Sequence, residues 1–144
     1  MYKGSCLCGA IQYAVNGELS EFGYCHCTSC RKASGSAHAA NIGAERGDLS
    51  LDDPNSFLKE YESSPGKIRA FCGNCGSPLY AFLRANPRVV RIRLGTLDTP
   101  LNKTAKAHTF VCDKASWELI EGDLPQFDEW ADKDVLVQLG SRQF

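Results

Sequence analysis

The chain has almost no charge of one sign to offer. Sixteen basic residues stand against seventeen acidic ones, a formal net charge of −1. With no global field to draw them in, nucleic acid and anionic membrane surfaces are poor candidate partners. No apolar run is long enough to cross a bilayer as a helix. The N-terminal stretch Met1-Tyr2-Lys3-Gly4-Ser5-Cys6 lacks the charged start, apolar run and cleavage site of a secretory signal. A soluble, cytoplasmic protein with reduced thiols is the expectation. Internal repeats and low-complexity tracts are also missing. At 43% hydrophobic and 10% aromatic residues the composition is that of an ordinary globular protein, and residues 1–144 are expected to form one domain.

What the chain does have is cysteine. Seven of its eight cysteines fall into three clusters: Cys6-Leu7-Cys8, Cys25-His26-Cys27-Thr28-Ser29-Cys30 and Cys72-Gly73-Asn74-Cys75. A disulfide framework is the ordinary use of so many cysteines in small secreted proteins whose cores are too small. A chain of 144 residues buries about two thirds of the surface its unfolded form exposes and needs no staples. Metal binding is therefore the favoured reading, ahead of disulfides and of free or redox-active thiols.

Periodicity places these clusters on a mostly β scaffold with short helical turns. Ile11, Tyr13 and Val15 alternate with Gln12, Ala14 and Asn16, which predicts a strand with one buried face, and Asn16-Gly17 then turns the chain. Residues 67–71, residues 89–94 with Arg91 and Arg93 on the exposed side, and residues 107–112 are further predicted strands. Between Ile42 and Gly66, Gly43, Gly47, Asp52-Asp53-Pro54 and Ser63-Ser64-Pro65-Gly66 punctuate the chain into short strands. Two helical pieces are expected. One runs from Thr28 to Ala33 and ends near Gly35; the other follows Pro125, where Phe127 and Trp130 stand three apart.

The spacings also carry chemistry. Residues two apart in an extended chain project to one side, so Cys6 and Cys8 can aim at one centre. Cys72-Gly73-Asn74-Cys75, followed by Gly76, is a knuckle whose glycines allow tight turning and whose backbone amides can bond to sulfur. Pairing these half-sites gives a closed four-sulfur zinc clamp. Cys25, Cys27 and Cys30 would hold a second zinc. Its fourth position falls to water, an external thiol, or one of His26, His38, His108 and Cys112. His26, flanked by two ligands, suits a supporting role better than a ligating one. Arg31 and Lys32 would help keep nearby thiolates charged, or else form a solvated pair.

Four segments together resemble the glutathione-dependent formaldehyde-activating enzyme family, whose relatives include centromere protein V. They are Gly4-Ser5-Cys6-Leu7-Cys8-Gly9; Tyr24-Cys25-His26-Cys27-Thr28-Ser29-Cys30-Arg31-Lys32; Phe71-Cys72-Gly73-Asn74-Cys75-Gly76-Ser77-Pro78-Leu79; and Asp113-Lys114-Ala115-Ser116-Trp117 followed by Leu124-Pro125-Gln126-Phe127. The likeness spans roughly residues 3–130. It implies a zinc-stapled β-tent with Cys6, Cys8, Cys72 and Cys75 on a structural zinc, and Cys25, Cys27 and Cys30 on a catalytic zinc. The implied activity is that of a carbon-sulfur lyase, joining glutathione or a similar small thiol to formaldehyde or a related carbonyl.

Two other functions compete with that expectation. A non-catalytic zinc module could bind another macromolecule through a basic patch built from Arg69, Arg84, Arg88, Arg91 and Arg93. A redox sensor would release zinc when its thiols are oxidised.

Overall fold

A computed structural model describes residues 1–140. Ten strands dominate it: β1 (Tyr2–Ser5), β2 (Gln12–Val15), β3 (Phe22–Cys25), β4 (Ala39–Glu45), β5 (Leu49–Asp52), β6 (Leu58–Ser64), β7 (Lys67–Cys72), β8 (Pro78–Leu83), β9 (Asn86–Arg93) and β10 (His108–Thr109). Two short helices, α1 (Thr28–Ser34) and α2 (Lys133–Gln138), complete the regular structure along with three single turns of 3-10 helix. No helix among the described residues is long and apolar enough to cross a membrane.

The chain folds as two compact units, each assembled from separated stretches of sequence. The first holds residues 1–19 and 43–102, the second residues 20–42 and the described residues from 103 onward. In the first unit, β1, β2 and β5 form an antiparallel sheet with β2 in the middle, while β6, β7, β8 and β9 follow one another as an antiparallel meander. Alternation sets what each strand buries. Ile11, Tyr13 and Val15 are buried while Gln12 faces solvent, as the sequence predicts. On β7, Ile68, Ala70 and Cys72 are buried between half-exposed Lys67, Arg69 and Phe71. Full burial of an aliphatic side chain such as Ile68, Leu79 or Ile92 stabilises by about 1.5–3 kcal/mol. The same period that builds this core delivers Cys72 to its inner face.

In the second unit β3 lies between the antiparallel start of β4 and the parallel two-residue strand β10. Helix α1 is the expected short turn. It closes on Gly35 in the left-handed conformation, φ 60°, where a side chain would be strained.

Three expectations need correction. The stretch directly after Pro125 that carries Phe127 and Trp130 is not helical, and helix begins only at Lys133. The backbone there is taken up by residues 108–112 instead: His108 N donates to Pro125 O, Phe127 N to His108 O, and Val111 N to Phe127 O. The predicted strand over 107–112 shrinks to His108–Thr109, because Phe110 adopts φ 56° and turns the chain into a 3-10 turn, Val111–Asp113. Arg93 is buried rather than exposed and Arg91 is half-buried, so the two do not form an open basic strand face. Helix α2, which sequence reading missed, had one usable signal in Asp132 ahead of Val135, Leu136 and Leu139.

Candidate metal centre

The first unit gathers Cys6, Cys8, Cys72 and Cys75 with all four sulfurs within 4.8 Å of one another. Cys6 Sγ lies 3.5 Å from Cys8 Sγ, and Cys8 Sγ 3.9 Å from Cys72 Sγ. The knuckle holds its shape because Gly76 N donates to Cys72 O and Gly76 takes φ 81°, a conformation glycine adopts without strain. Donors converge on the sulfurs: Ile11 N on Cys6 and Asn74 Nδ2 on Cys8, each at 3.3 Å. Asn74 is the main reason the Cys8 thiol sits below its ordinary range. Bonds from Ser77 pull Cys75 down to about 5, whereas burial pushes Cys72 up to about 11. Cys8 and Cys75 are thus prepared for thiolate, since donors aimed at sulfur favour the charged form.

The second unit gathers Cys25, Cys27 and Cys30 to the same spacing. Cys25 ends β3, Cys27 is the N-cap of α1, and Cys27 Sγ accepts from Cys30 N at 3.3 Å. N-cap and third helical residue are neighbours at every helix start, so local geometry alone brings these two sulfurs together. All three are half-buried. Contact with Cys27 and Cys30, and then burial, drives the Cys25 thiol far above its ordinary range. Cys27 is lowered by Cys25, yet Cys30 and burial outweigh this and raise it. Three crowded sulfurs with few donors cannot all be thiolates without a cation among them, and three soft donors suit a divalent metal.

Neither Cys112 nor any imidazole nitrogen joins the three sulfurs within that spacing among the described residues. Cys112 is exposed and raised by burial of its sulfur and by Asp113, Asp128 and Glu129. Arg31 turns back to Thr28 Oγ1 within α1 and Lys32 is exposed. No disulfide links any of the eight cysteines.

Sequence reading did not foresee where the three histidines meet. His26, His38 and His108 form one ring cluster with Tyr24, with centroids 4.3 Å apart for Tyr24–His38 and 5.1 Å for both His26–His38 and His26–His108. His26 is fully buried and its Nε2 stands 2.8 Å from His108 Nδ1. Burial, then the neighbouring imidazoles His38 and His108, lower His26 to about 4; burial also lowers His38 and His108, and Glu118 opposes this at all three. No local spacing signals this meeting, because residues 26, 38 and 108 come together only through strand pairing.

The chain matches the glutathione-dependent formaldehyde-activating enzyme family over residues 1–113. A Halomonas elongata protein bearing that enzyme name as a provisional assignment is 30% identical over 129 residues, covering 84% of this chain and 82% of the relative. An uncharacterized lyase of Schizosaccharomyces pombe is 35% identical over 79 residues, covering 55% of this chain and 56% of the relative. The crystal structure of a Rhodobacter sphaeroides protein resembles this chain with a TM-score of 0.57 at 26% identity, covering 69% of this chain and 91% of that one. A family of lyase-type enzymes is the class that these matches define. This chain belongs to the glutathione-dependent formaldehyde-activating enzyme family.

Proposed function

We propose that this protein is a zinc-dependent carbon-sulfur lyase that joins a small thiol, glutathione or a close analogue, to formaldehyde or a related carbonyl at the Cys25, Cys27 and Cys30 site. One observation carries the reading: three half-buried sulfurs meet with no fourth protein ligand among the described residues, in a member of this family. A site with three protein ligands keeps a position for substrate, whereas four close the shell.

In this reading Cys6, Cys8, Cys72 and Cys75 hold a structural zinc. A zinc tetrahedron with arms of about 2.3 Å has edges of about 3.8 Å, and the separations of 3.5 and 3.9 Å fall on either side of that value. At the other site Cys25, Cys27 and Cys30 are the ligands, and zinc bound there would supply the positive charge that keeps an incoming thiol ionised near neutral pH. The substrate sulfur attacks the carbonyl carbon, a carbon-sulfur bond forms, the carbonyl π bond breaks, and the proton lost by the thiol ends on the new hydroxyl. The buried His26 and His108 side chains, next to Cys25 and Cys27 in the fold, keep bulk water from that part of the segment. Such thiolates persist in the reducing cytoplasm, where we place the protein.

The test is the initial rate of adduct formation from formaldehyde and glutathione with zinc-loaded protein, followed by NMR of the hydroxymethyl product. A rate above the spontaneous one is expected, lost in Cys27→Ser. No acceleration with glutathione or any other small thiol overturns the proposal.

A further inference from the structure

The segment carrying Cys25 and Cys27 is gripped along one side by residues 107–109. Tyr24 N donates to Ala107 O and His26 N to Thr109 O, each at 2.9 Å, and Thr109 Oγ1 donates to Tyr24 O at 3.4 Å. Strand β10 has only two residues, so few bonds define this grip. The His26 side chain bonds to His108, Nε2 to Nδ1, at 2.8 Å.

His26 is completely buried, and its Nδ1 has no hydrogen-bond partner among the described residues. A buried N–H without an acceptor is rarer in proteins than an under-used lone pair. The proton therefore belongs on Nε2, with His26 donating and His108 Nδ1 accepting. Because His26 lies between two cysteines in the chain, anchoring its ring to His108 restrains the Cα at which the peptide planes on both sides meet. Those planes set where the sulfurs of Cys25 and Cys27 point. Three ligands leave no fourth protein group to restore the geometry if one swings away.

We infer that His108 is a positioning residue for the three-sulfur site: acting through His26, it holds the Cys25-His26-Cys27 arc so that three sulfurs close on one ion. The inference rests on the metal reading of that cluster. The four-sulfur cluster, built on residues 6–8 and 72–75, makes no use of the His26–His108 bond and serves as an internal control.

The experiment compares the two-site protein with His108→Leu and His108→Asn. Leucine removes the acceptor, while the asparagine carboxamide oxygen returns one near the Nδ1 position. Zinc affinities come from competition with a chelator, and the sulfur-to-cobalt absorption of cobalt-loaded samples reports the geometry. In His108→Leu one of the two ions is expected to bind about 10–100-fold more weakly, with its charge-transfer bands reduced and the other ion unchanged. His108→Asn recovers most of the affinity and the bands. Parental affinity for both ions in His108→Leu, equal weakening of both ions, or no recovery in His108→Asn would each overturn the inference. The parent protein separates this from the functional proposal. Two ions without catalysis sink the lyase reading alone, and two ions that ignore His108 sink the positioning role alone. A parent that binds a single ion removes the metal reading under both.

Discussion

The two sulfur clusters use the same side chain in opposite settings. The four-sulfur cluster joins residues as far apart as Cys8 and Cys72, 64 positions along the chain, and so closes a long loop. The three-sulfur cluster lies within six consecutive residues and closes almost nothing. Loop-closure entropy grows with the separation of the joined residues, so a metal held at the first cluster would stabilise the fold while one at the second would do little for it. Donors differ in the same sense. Asn74 Nδ2 and Ile11 N donate to sulfurs of the first cluster, whereas the second has the Cys30 N bond to Cys27 and otherwise crowded, half-buried thiols. A site that contributes little to folding is free to keep an open position for chemistry.

The hardest blow to this contrast would come from Cys72→Ser. Loss of the long-range clamp is expected to lower the Tm by more than about 15 °C, because structural zinc binding is itself folding free energy; a calorimetric Tm near that of the parent would make the two clusters equivalent. Next in size is Cys27→Ser, which should lose at least about 100-fold in adduct-forming rate and one bound ion. Its Tm should stay within about 5 °C of the parent's, since a serine oxygen can still cap α1. A large fall in Tm would show the second cluster to be a clamp as well.

A smaller change, Asn74→Ala, removes the amide donor 3.3 Å from Cys8 Sγ. Zinc at the first cluster should bind about 10-fold more weakly and the Tm should fall by a few degrees, with the second ion unaffected in a chelator titration. The smallest effect is electrostatic. Burial holds His26 down to about 4, so its ring should still be neutral at pH 5.5, where an exposed histidine is mostly charged. Its folded value lies below the ordinary one. The stability it contributes is therefore complete above about pH 6.5 and is lost as pH falls through about 4. Ring nitrogen shifts in histidine-labelled protein read this directly, and a protonated His26 at pH 5.5 would contradict the buried geometry.

Much of the scaffold can be read from local pattern. Ile11, Tyr13 and Val15 show their burial in their spacing, and Thr28 to Gly35 shows a capped turn of helix. The Phe127 and Trp130 pair fits a helix equally well, yet their segment is held by strand-like bonds to residues 108–112. Propensity lost there to a partner nearly twenty residues away. Arg93 looks like a surface strand residue and is buried, because its face is decided by what packs on it rather than by its neighbours in sequence.

By itself the amino-acid order determined the division of seven cysteines into four and three, since knuckles, two-apart pairs and helix starts are local geometries that spacing encodes. Tertiary structure alone decided that Cys112 stays out of the second cluster and that His26, His38 and His108 share one cluster of rings. Those outcomes depend on which strands pair across long stretches of chain, and pairing follows from the packing of the whole protein rather than from any short run of residues.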